Sequence, residues 1–335
     1  MERRIIAYKL NFSSPLHLDA HGVGYEKTEE FIHSDTLFSA LMTLWGHFYN
    51  DDIASICQDP PFCISSAFPY KSSTYFFPRP MVKIGKGGED DTKVGKKFKK
   101  VKYISKDLFE ALLKREPLEF HEKETFQKYK FWFGKDAEEI NKNSRIFMAR
   151  EVPRVTIDRA TSSSEIFYFS EIIFEKDSGL FFLAEFKDKE FRSKFETILR
   201  LLGDEGIGGD KRVGKGMFSL QIDEEFSLSI PQNADSFLTL SLYYPREDEF
   251  NSGLLKGASY ELVSRKGWLH VGGAMSLKRR EIKMFSEGSV FSSLDRPDYG
   301  ANPCVLEKDE TIGLAHNIYR YGMSFYLPII LEHTK

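Results

Sequence analysis

The chain has 335 residues, 41% of them hydrophobic and 29% charged, with a formal net charge of −3. That length exceeds one ordinary domain and suits two, and no apolar run is long enough to span a bilayer, so a membrane role is not expected. The slight acidity excludes a generic nucleic-acid coat, whose affinity needs an excess of cations, so any nucleic-acid site must be local.

Cys57, Cys63 and Cys304 have neither disulfide parity nor zinc-knuckle spacing and read as buried free thiols. The N-terminal MERRIIAYKLNF lacks the apolar run and small-residue cleavage site of a signal peptide, so the protein is expected in the cytoplasm. The 30 Phe and 15 Tyr favour strands and supply rings for a core.

In chain order, Ile5 to Phe12 alternates as a first strand, and a loop rich in His and Gly leads to Ser34. Ser34 and Asp35 offer N-cap chemistry to a helix whose apolar face is Leu37, Leu41, Leu44, Trp45 and Phe48. Strands follow around Phe62 to Ala67 and Thr74 to Phe77, where Pro69, Pro78 and Pro80 forbid a helix interior. From about 81 to 150 the pattern breaks, as in an insertion, with a short helix expected from near Asp107. Met81 to Lys102 holds eight lysines against Glu89, Asp90 and Asp91, a local balance of 8 − 3 = +5. Strands resume over Pro153 to Arg159, Ile166 to Phe174 and Leu180 to Phe186. A helix from about Lys189 presents Phe191, Phe195, Ile198, Leu199 and Leu202 on one face, with Gly203 as its stop. A glycine-rich loop, 206–216, leads into a strand over Met217 to Ile222. This is a ferredoxin-like (RRM-like) βαββαβ order with a large insertion, spanning 1–230. Strand-like runs within SFLTLSLYY, around Tyr260 to Val263, in EIKMFSEG and in YGMSFYLPI suggest a second sheet-rich ferredoxin-like domain over 231–335, giving an α+β chain of two such units.

GIGGDKRVGKGMF (Gly206 to Phe218) is the sharpest local signal. Its glycines permit positive φ and close approach of a backbone, and its exposed N–H groups and cations suit phosphates. Gly209 to Lys215 fits the first seven positions of a P-loop, but Gly216 stands where the magnesium-binding hydroxyl belongs, and the loop runs from helix to strand, the reverse of a P-loop. RNA-backbone contact is the favoured reading over a plain turn. Ser34 stands at a helix start, a ready anion site, although a simple cap accounts for it equally well. Arg150, Arg154 and Arg159 flank a strand, and Arg154, Thr156 and Asp158 are not expected all to face the same way, so at least one arginine should reach a groove.

A ferredoxin-like unit whose last helix is followed by a GxGGxxxxGxG loop resembles the RAMP superfamily of CRISPR proteins. SPLHLDAHGVGYEKTEEFIHSDTLFSALMTLW, SSAFPY, FFPRP and VPRVTIDRATSSSEIFYF narrow the resemblance to the fourth-subunit family of type III-A (Csm) effectors, over about Ile5 to Phe218. Beyond that the likeness is only a general richness in strands. The resemblance implies a subunit that is not an enzyme, holds the 5′ repeat-derived tag of the guide RNA (crRNA), and joins the large polymerase-like subunit to the adjacent RAMP backbone subunit. Carried onto this sequence, Gly208, Gly209, Gly214 and Gly216 lie along the guide backbone while Lys211, Arg212 and Lys215 contact phosphates. The lysine-rich insertion resembles, in position, a thumb-like protrusion, its alternative being a solvated loop.

Some RAMP relatives cut guide RNA without metal, so a crRNA-processing endoribonuclease using His17, His21 or His33 is the alternative function. Each histidine stands alone in sequence, which favours a structural role. Asp19, loosely near the position of a cleaving aspartate in the backbone subunit, is unassigned. No metal-ligand cluster is seen and no cofactor is expected. No base-stacking residue is assigned, because the RRM stacking signature is missing.

Overall fold

A computed structural model of the protein describes residues 4–19, 26–82, 96–135, 137–271, 275–294 and 296–331. The first half is organised by one large sheet. Its strands are β1 (Ile6–Phe12), β2 (Phe62–Ile64), β3 (Phe68–Lys71), β4 (Thr74–Pro78), β5 (Tyr103–Ser105), β6 (Thr125–Phe126), β7 (Phe131–Trp132), β10 (Ser178–Phe186) and β11 (Phe218–Asp223), in the order β11-β1-β10-β3-β4-β5-β7-β6 with β2 also on β10. All neighbours are antiparallel except β5 and β7. Between β7 and β10 the chain makes a separate hairpin of β8 (Phe147–Ile157) and β9 (Ser164–Phe174).

The alternation read in β1 decides which face each side chain covers. Ile6, Tyr8 and Leu10 join Leu180, Phe182 and Ala184 of β10 on one face, beneath helices α1 (Ser34–Phe48) and α4 (Lys189–Glu205). In register, Tyr8 faces Phe182 and their rings stack with centroids 5.2 Å apart. The helices contribute Leu37, Leu41, Leu44 and Trp45 from α1 and Phe195, Ile198, Leu199 and Leu202 from α4, the apolar stripes that the 3.6-residue period marks out. A short helix, α2 (Ile53–Gln58), capped by the Asp52 carboxylate, follows α1. Helix α4 passes Gly203 and ends at Gly206, whose φ is +83°. The missing side chain at Gly203 instead admits the Phe218 carbonyl, so that glycine serves helix-to-strand packing rather than termination.

The opposite face is covered from the second half of the chain. Ala7, Phe181 and Leu183 share a core with α3 (Lys106–Leu113) and with Leu238, Leu240, Val290, Phe325, Leu327 and Ile329. Four of those C-terminal residues lie on β12 (Ser236–Thr239), β17 (Val290–Ser292) and β20 (Tyr326–Ile329), which form a three-stranded sheet of order β17-β12-β20. With both faces covered, β10 buries seven consecutive residues. The remaining short strands pair two by two, β13 (Leu262–Arg265) with β16 (Ile282–Phe285), β14 (Trp268–Val271) with β15 (Met275–Lys278), and β18 (Cys304–Leu306) with β19 (Ile318–Tyr319).

Two expectations are corrected by these elements. Among the described residues beyond 230, the α-helical content is one helix, α5 (Glu247–Asn251), so the two-helix βαββαβ order expected there is not seen. Strands of two to four residues separated by turns leave no room for a second helical stripe, and residues on both sides of the 230/231 boundary share one core. The expected thumb-like insertion at 81–150 is also not a protrusion over its described part. Tyr103, Ile104, Phe109, Phe126, Phe131 and Trp132 are buried, and β5, β7 and β6 extend the main sheet. The lysine-rich residues 83–95 lie outside the described residues.

Candidate RNA-binding site

The glycine loop joins α4 to β11 and folds back on itself and on the segment after β1. Ile207 donates to the Gly216 carbonyl at 3.0 Å, Gly209 to the His17 carbonyl at 2.9 Å and Gly216 to the Pro15 carbonyl at 2.9 Å. Gly208 and Gly216 have φ of +91° and +71°, and a Cβ at either would overlap the backbone of His17 or Ile207. Their close approach is therefore to the chain itself. Lys211–Val213 forms one 3₁₀ turn at the loop's outer edge.

The cations expected at this site divide by environment. Arg212 and Arg159, the latter in the turn of the β8–β9 hairpin, are exposed, and Lys211 is 47% exposed with Glu205 at 3.6 Å. Lys215 turns inward to Glu171 and sits 4.1 Å above the Phe169 ring. Arg150 holds the same Glu171 carboxylate at 2.6 Å. Arg154 pairs with Asp210 at 2.6 Å and covers Phe169 from 4.2 Å. Burial opposes the Glu171 charge, but Lys215 and Arg150 outweigh it and keep its carboxyl below the usual range. Arg154 and Thr156 line one cavity together, as the period of two along a strand requires, while Asp158 accepts from the Ala160 and Thr161 N–H groups in the hairpin turn.

Ser34 is wholly buried. Its N–H donates to the Ser66 hydroxyl at 2.8 Å and its hydroxyl accepts the Leu242 N–H at 3.0 Å, so it ties α1 to the C-terminal half and offers nothing to RNA. The N-cap residue is His33. Around it lies a buried charge network. His33 Nδ1 is 2.8 Å from Glu287 and Nε2 is 2.9 Å from Glu29, while Glu287 also accepts from the Ser66 hydroxyl. Burial disfavours the imidazolium, but the two carboxylates outweigh it and push His33 up to about 10. Beside it, Asp35 is held by Arg265 at 2.8 Å and by Arg320. Burial again opposes the charge, and the two guanidiniums keep the Asp35 carboxyl well below its ordinary range.

Two clefts flank the glycine loop. One, of about 520 Å³, lies between Gly206–Gly209, the start of α1 and the C-terminal strands, and is lined by Lys211, Arg265, Lys266, Arg279 and Arg320. The other, of about 420 Å³, lies between Asp210 and the hairpin face of Arg154, Thr156, Phe167 and Phe169. The three arginines at 265, 279 and 320 escape a reading of the sequence because no local motif joins them. The hairpin runs for eleven paired positions from Phe147 opposite Phe174 to Ile157 opposite Ser164. Its base is buried, but Ile157 and Ile166 near its tip are 65% and 63% exposed.

Of the histidines weighed as catalysts, His17 is buried with Nδ1 2.7 Å from the Ser170 carbonyl, and His33 is enclosed by its carboxylates. His21 lies outside the described residues. Among the described residues no group of three His, Cys, Asp or Glu side chains could hold a metal, and no helix is long and apolar enough to cross a membrane.

The RAMP superfamily model matches residues 9–219, and the model of the CRISPR Csm4 C-terminal domain matches residues 232–329. Among curated relatives, the CRISPR system Cms protein Csm4 of Thermococcus onnurineus (strain NA1) is 28% identical over 278 residues, covering 80% of each chain. The Csm4 of Methanocaldococcus jannaschii is 22% identical and covers 97% of each chain. Similar solved folds include a Csm3–Csm4 subcomplex of the type III-A CRISPR-Cas interference complex, with TM-score 0.64, 19% identity and coverage of 98% of this chain and 99% of that one. A Csm1–Csm4 cassette in complex with pppApA has TM-score 0.62, 23% identity and the same coverage. With its matched region spanning most of the chain from β1 to β11, the protein belongs to the RAMP superfamily.

Proposed function

We propose that the chain is a non-catalytic crRNA-binding scaffold of a type III-A CRISPR effector, in the place of Csm4. It holds the 5′ repeat-derived tag and links a Csm1-type large subunit to the adjacent Csm3-type backbone subunit in the cytoplasm. One observation carries the reading: the glycine loop borders a cleft lined by Lys211, Arg265, Lys266, Arg279 and Arg320 on one side, and on the other meets a hairpin face where Arg154 stands between Asp210 and Glu165. A strand of phosphates needs such a track of local positive charge on a protein that is acidic overall. The order β11-β1-β10-β3 with two helices on one face supports a ferredoxin-like first half. The exposed apolar tip of β8 and β9 supports assigning the thumb to this hairpin, because two strands with uncovered apolar residues gain by packing against a ligand.

Of the residues expected from sequence, Lys211, Arg212 and Arg159 are assigned to direct phosphate contact. Gly208, Gly209, Gly214 and Gly216 shape the loop, and Lys215, Arg150 and Arg154 hold it against the hairpin. The enclosed His33, already protonated between two carboxylates, supports a subunit without general-base chemistry.

The test uses labelled RNA bearing a repeat-derived 5′ tag, with and without a Csm1-type partner, across a salt series. The expected result is intact RNA and binding that strengthens with the partner. In K211A/R212A the salt slope should be shallower by up to about 1.4, at about 0.7 per lost contact on single strands. Cleavage that disappears in His17→Ala or His33→Ala would replace this reading with the endoribonuclease, and failure to bind with the partner present would refute it.

A further inference from the structure

The cleft beside α1 contains more positive charge than the protein neutralises. Asp35 is a single carboxylate shared by two guanidiniums: Arg265 reaches it through Nε at 3.0 Å and Nη2 at 2.8 Å, and Arg320 through Nη1. The other acidic side chains lining this cleft are Glu29, which is engaged with His33 at 2.9 Å, and Asp19. Arg279 lines the same cleft from the end of the β14–β15 hairpin and meets no carboxylate within ion-pair reach among the described residues. Its Nη2 donates to the Trp268 carbonyl at 3.0 Å, and its backbone N–H to the Gly267 carbonyl at 2.9 Å. The Nε atoms of Arg279 and Arg320 are sealed from solvent and make no hydrogen bond. Arg320 itself is only 6% exposed. Burial, followed by repulsion from Arg320, presses Arg279 below its ordinary range, and Asp35 offsets this only in part. A guanidinium in such a position is costly unless an anion joins it.

We infer that Arg279, backed by Arg265 and Arg320, is a binding site for one phosphate of the RNA backbone. The guanidinium fork matches the paired oxygens of a phosphodiester, and the cleft opens on Gly206–Gly209 and Lys211, where the RNA track proposed above begins. The inference rests on that reading for the source of the phosphate and adds residues from a part of the chain that the sequence left without a role. It also gives the C-terminal half a direct share in RNA binding. The unneutralised charge is then held ready for the ligand at the expense of the free protein's stability.

The experiment compares the full-length wild type with R279Q and R279K in three measurements. In chloride, R279Q is expected to melt no lower than wild type, because a repelled charge has been removed. On replacing chloride by inorganic phosphate at equal ionic strength, the melting temperature should rise more for wild type and R279K than for R279Q, the general salting effect being common to all three. With tagged RNA and the Csm1-type partner, the salt slope of R279Q should be shallower by up to about 0.7. Equal phosphate responses together with equal slopes overturn the inference, as does an R279Q that melts well below wild type in chloride, which marks a structural arginine. Weaker association of R279Q with the partner in the absence of RNA, at unchanged RNA slope, overturns it in favour of an acidic protein contact. If wild type binds no RNA even with the partner, the scaffold reading fails, while the phosphate response still decides whether the anion site exists.

Discussion

The buried pair of His33 and Glu287 makes stability fall as pH rises above neutrality, in a way that one substitution removes. His33 rises from an ordinary 6.5 to about 10 in the folded chain. Between those values the native state binds a proton that the unfolded state has released, so stability decreases with increasing pH across that window and the contribution is fully present below 6.5. The interval is about 3.5 pH units, and at about 1.36 kcal/mol each the His33 contribution is at most about 4 to 5 kcal/mol. Glu287 works in the opposite window: burial opposes its charge, His33 and Ser66 outweigh it, and its carboxyl falls below 4.5. Its contribution is present above 4.5 and lost as pH falls through the lower folded value, so for this pair stability peaks between about 4.5 and 6.5. The assay is chemical denaturation of wild type and H33Q at pH 6, 8 and 10. H33Q leaves the buried Glu287 carboxylate without its cation and should cost about 3 to 5 kcal/mol near neutrality. The gap between the two proteins should narrow as pH rises through this window, because wild type alone loses the His33 contribution while lysines, tyrosines and thiols titrate alike in both. A gap that stays constant from pH 6 to 10 refutes the ion pair as the source of the dependence.

Three further outcomes follow from the loop and the hairpin. G208A and G216A, each placing a Cβ into backbone at positive φ, should destabilise the protein by about 2 to 4 kcal/mol in equilibrium unfolding, whereas G214A, with φ of +80° and its Cβ position 4.0 Å from the Met217 sulfur, should cost about 1 kcal/mol. K215A should lower stability by about 1 to 3 kcal/mol, because Glu171, only 1% exposed, keeps Arg150 alone, while R212A should stay within about 0.5 kcal/mol of wild type and lose RNA affinity. Replacing the exposed Ile157 and Ile166 by serine should change the melting temperature little and weaken binding of tagged RNA in the assembled complex, which an electrophoretic mobility assay reads directly.

What the sequence disclosed is what local chemistry controls. The glycine loop, the two helical stripes and the central strands were legible because φ restrictions, 3.6-residue periodicity and alternation act within a few residues. The aromatic stretch from Tyr103 to Phe147 was not, since burial of Phe126, Phe131 and Trp132 depends on strands of two or three residues finding the edge of a distant sheet. The β8–β9 hairpin was legible as strands but not as a surface, because the exposure of Ile157 and Ile166 depends on which elements pack against the hairpin and not on its own sequence. Ser34 resembled a cap or an anion contact, and both were displaced by Leu242, more than 200 residues away in the chain.

Long-range placement also separates residues that stabilise from residues that bind. The arginines at 265 and 320 are fixed on Asp35, so replacing either removes support from a buried carboxylate and should damage stability and RNA affinity together. Among the described residues Arg279 has no such carboxylate, and Arg212 is exposed, so their loss should fall on affinity alone. The glycines belong with the first pair, since their close contacts are to His17 and Ile207 rather than to a ligand. A loop already packed against its own chain spends little ordering entropy when RNA arrives, so its rigidity itself favours binding. For that reason a glycine variant that still folds should lose affinity in proportion to the loop order it loses, whereas R279Q should lose affinity with no loss of stability, and the two classes are distinguished by whether stability falls with affinity.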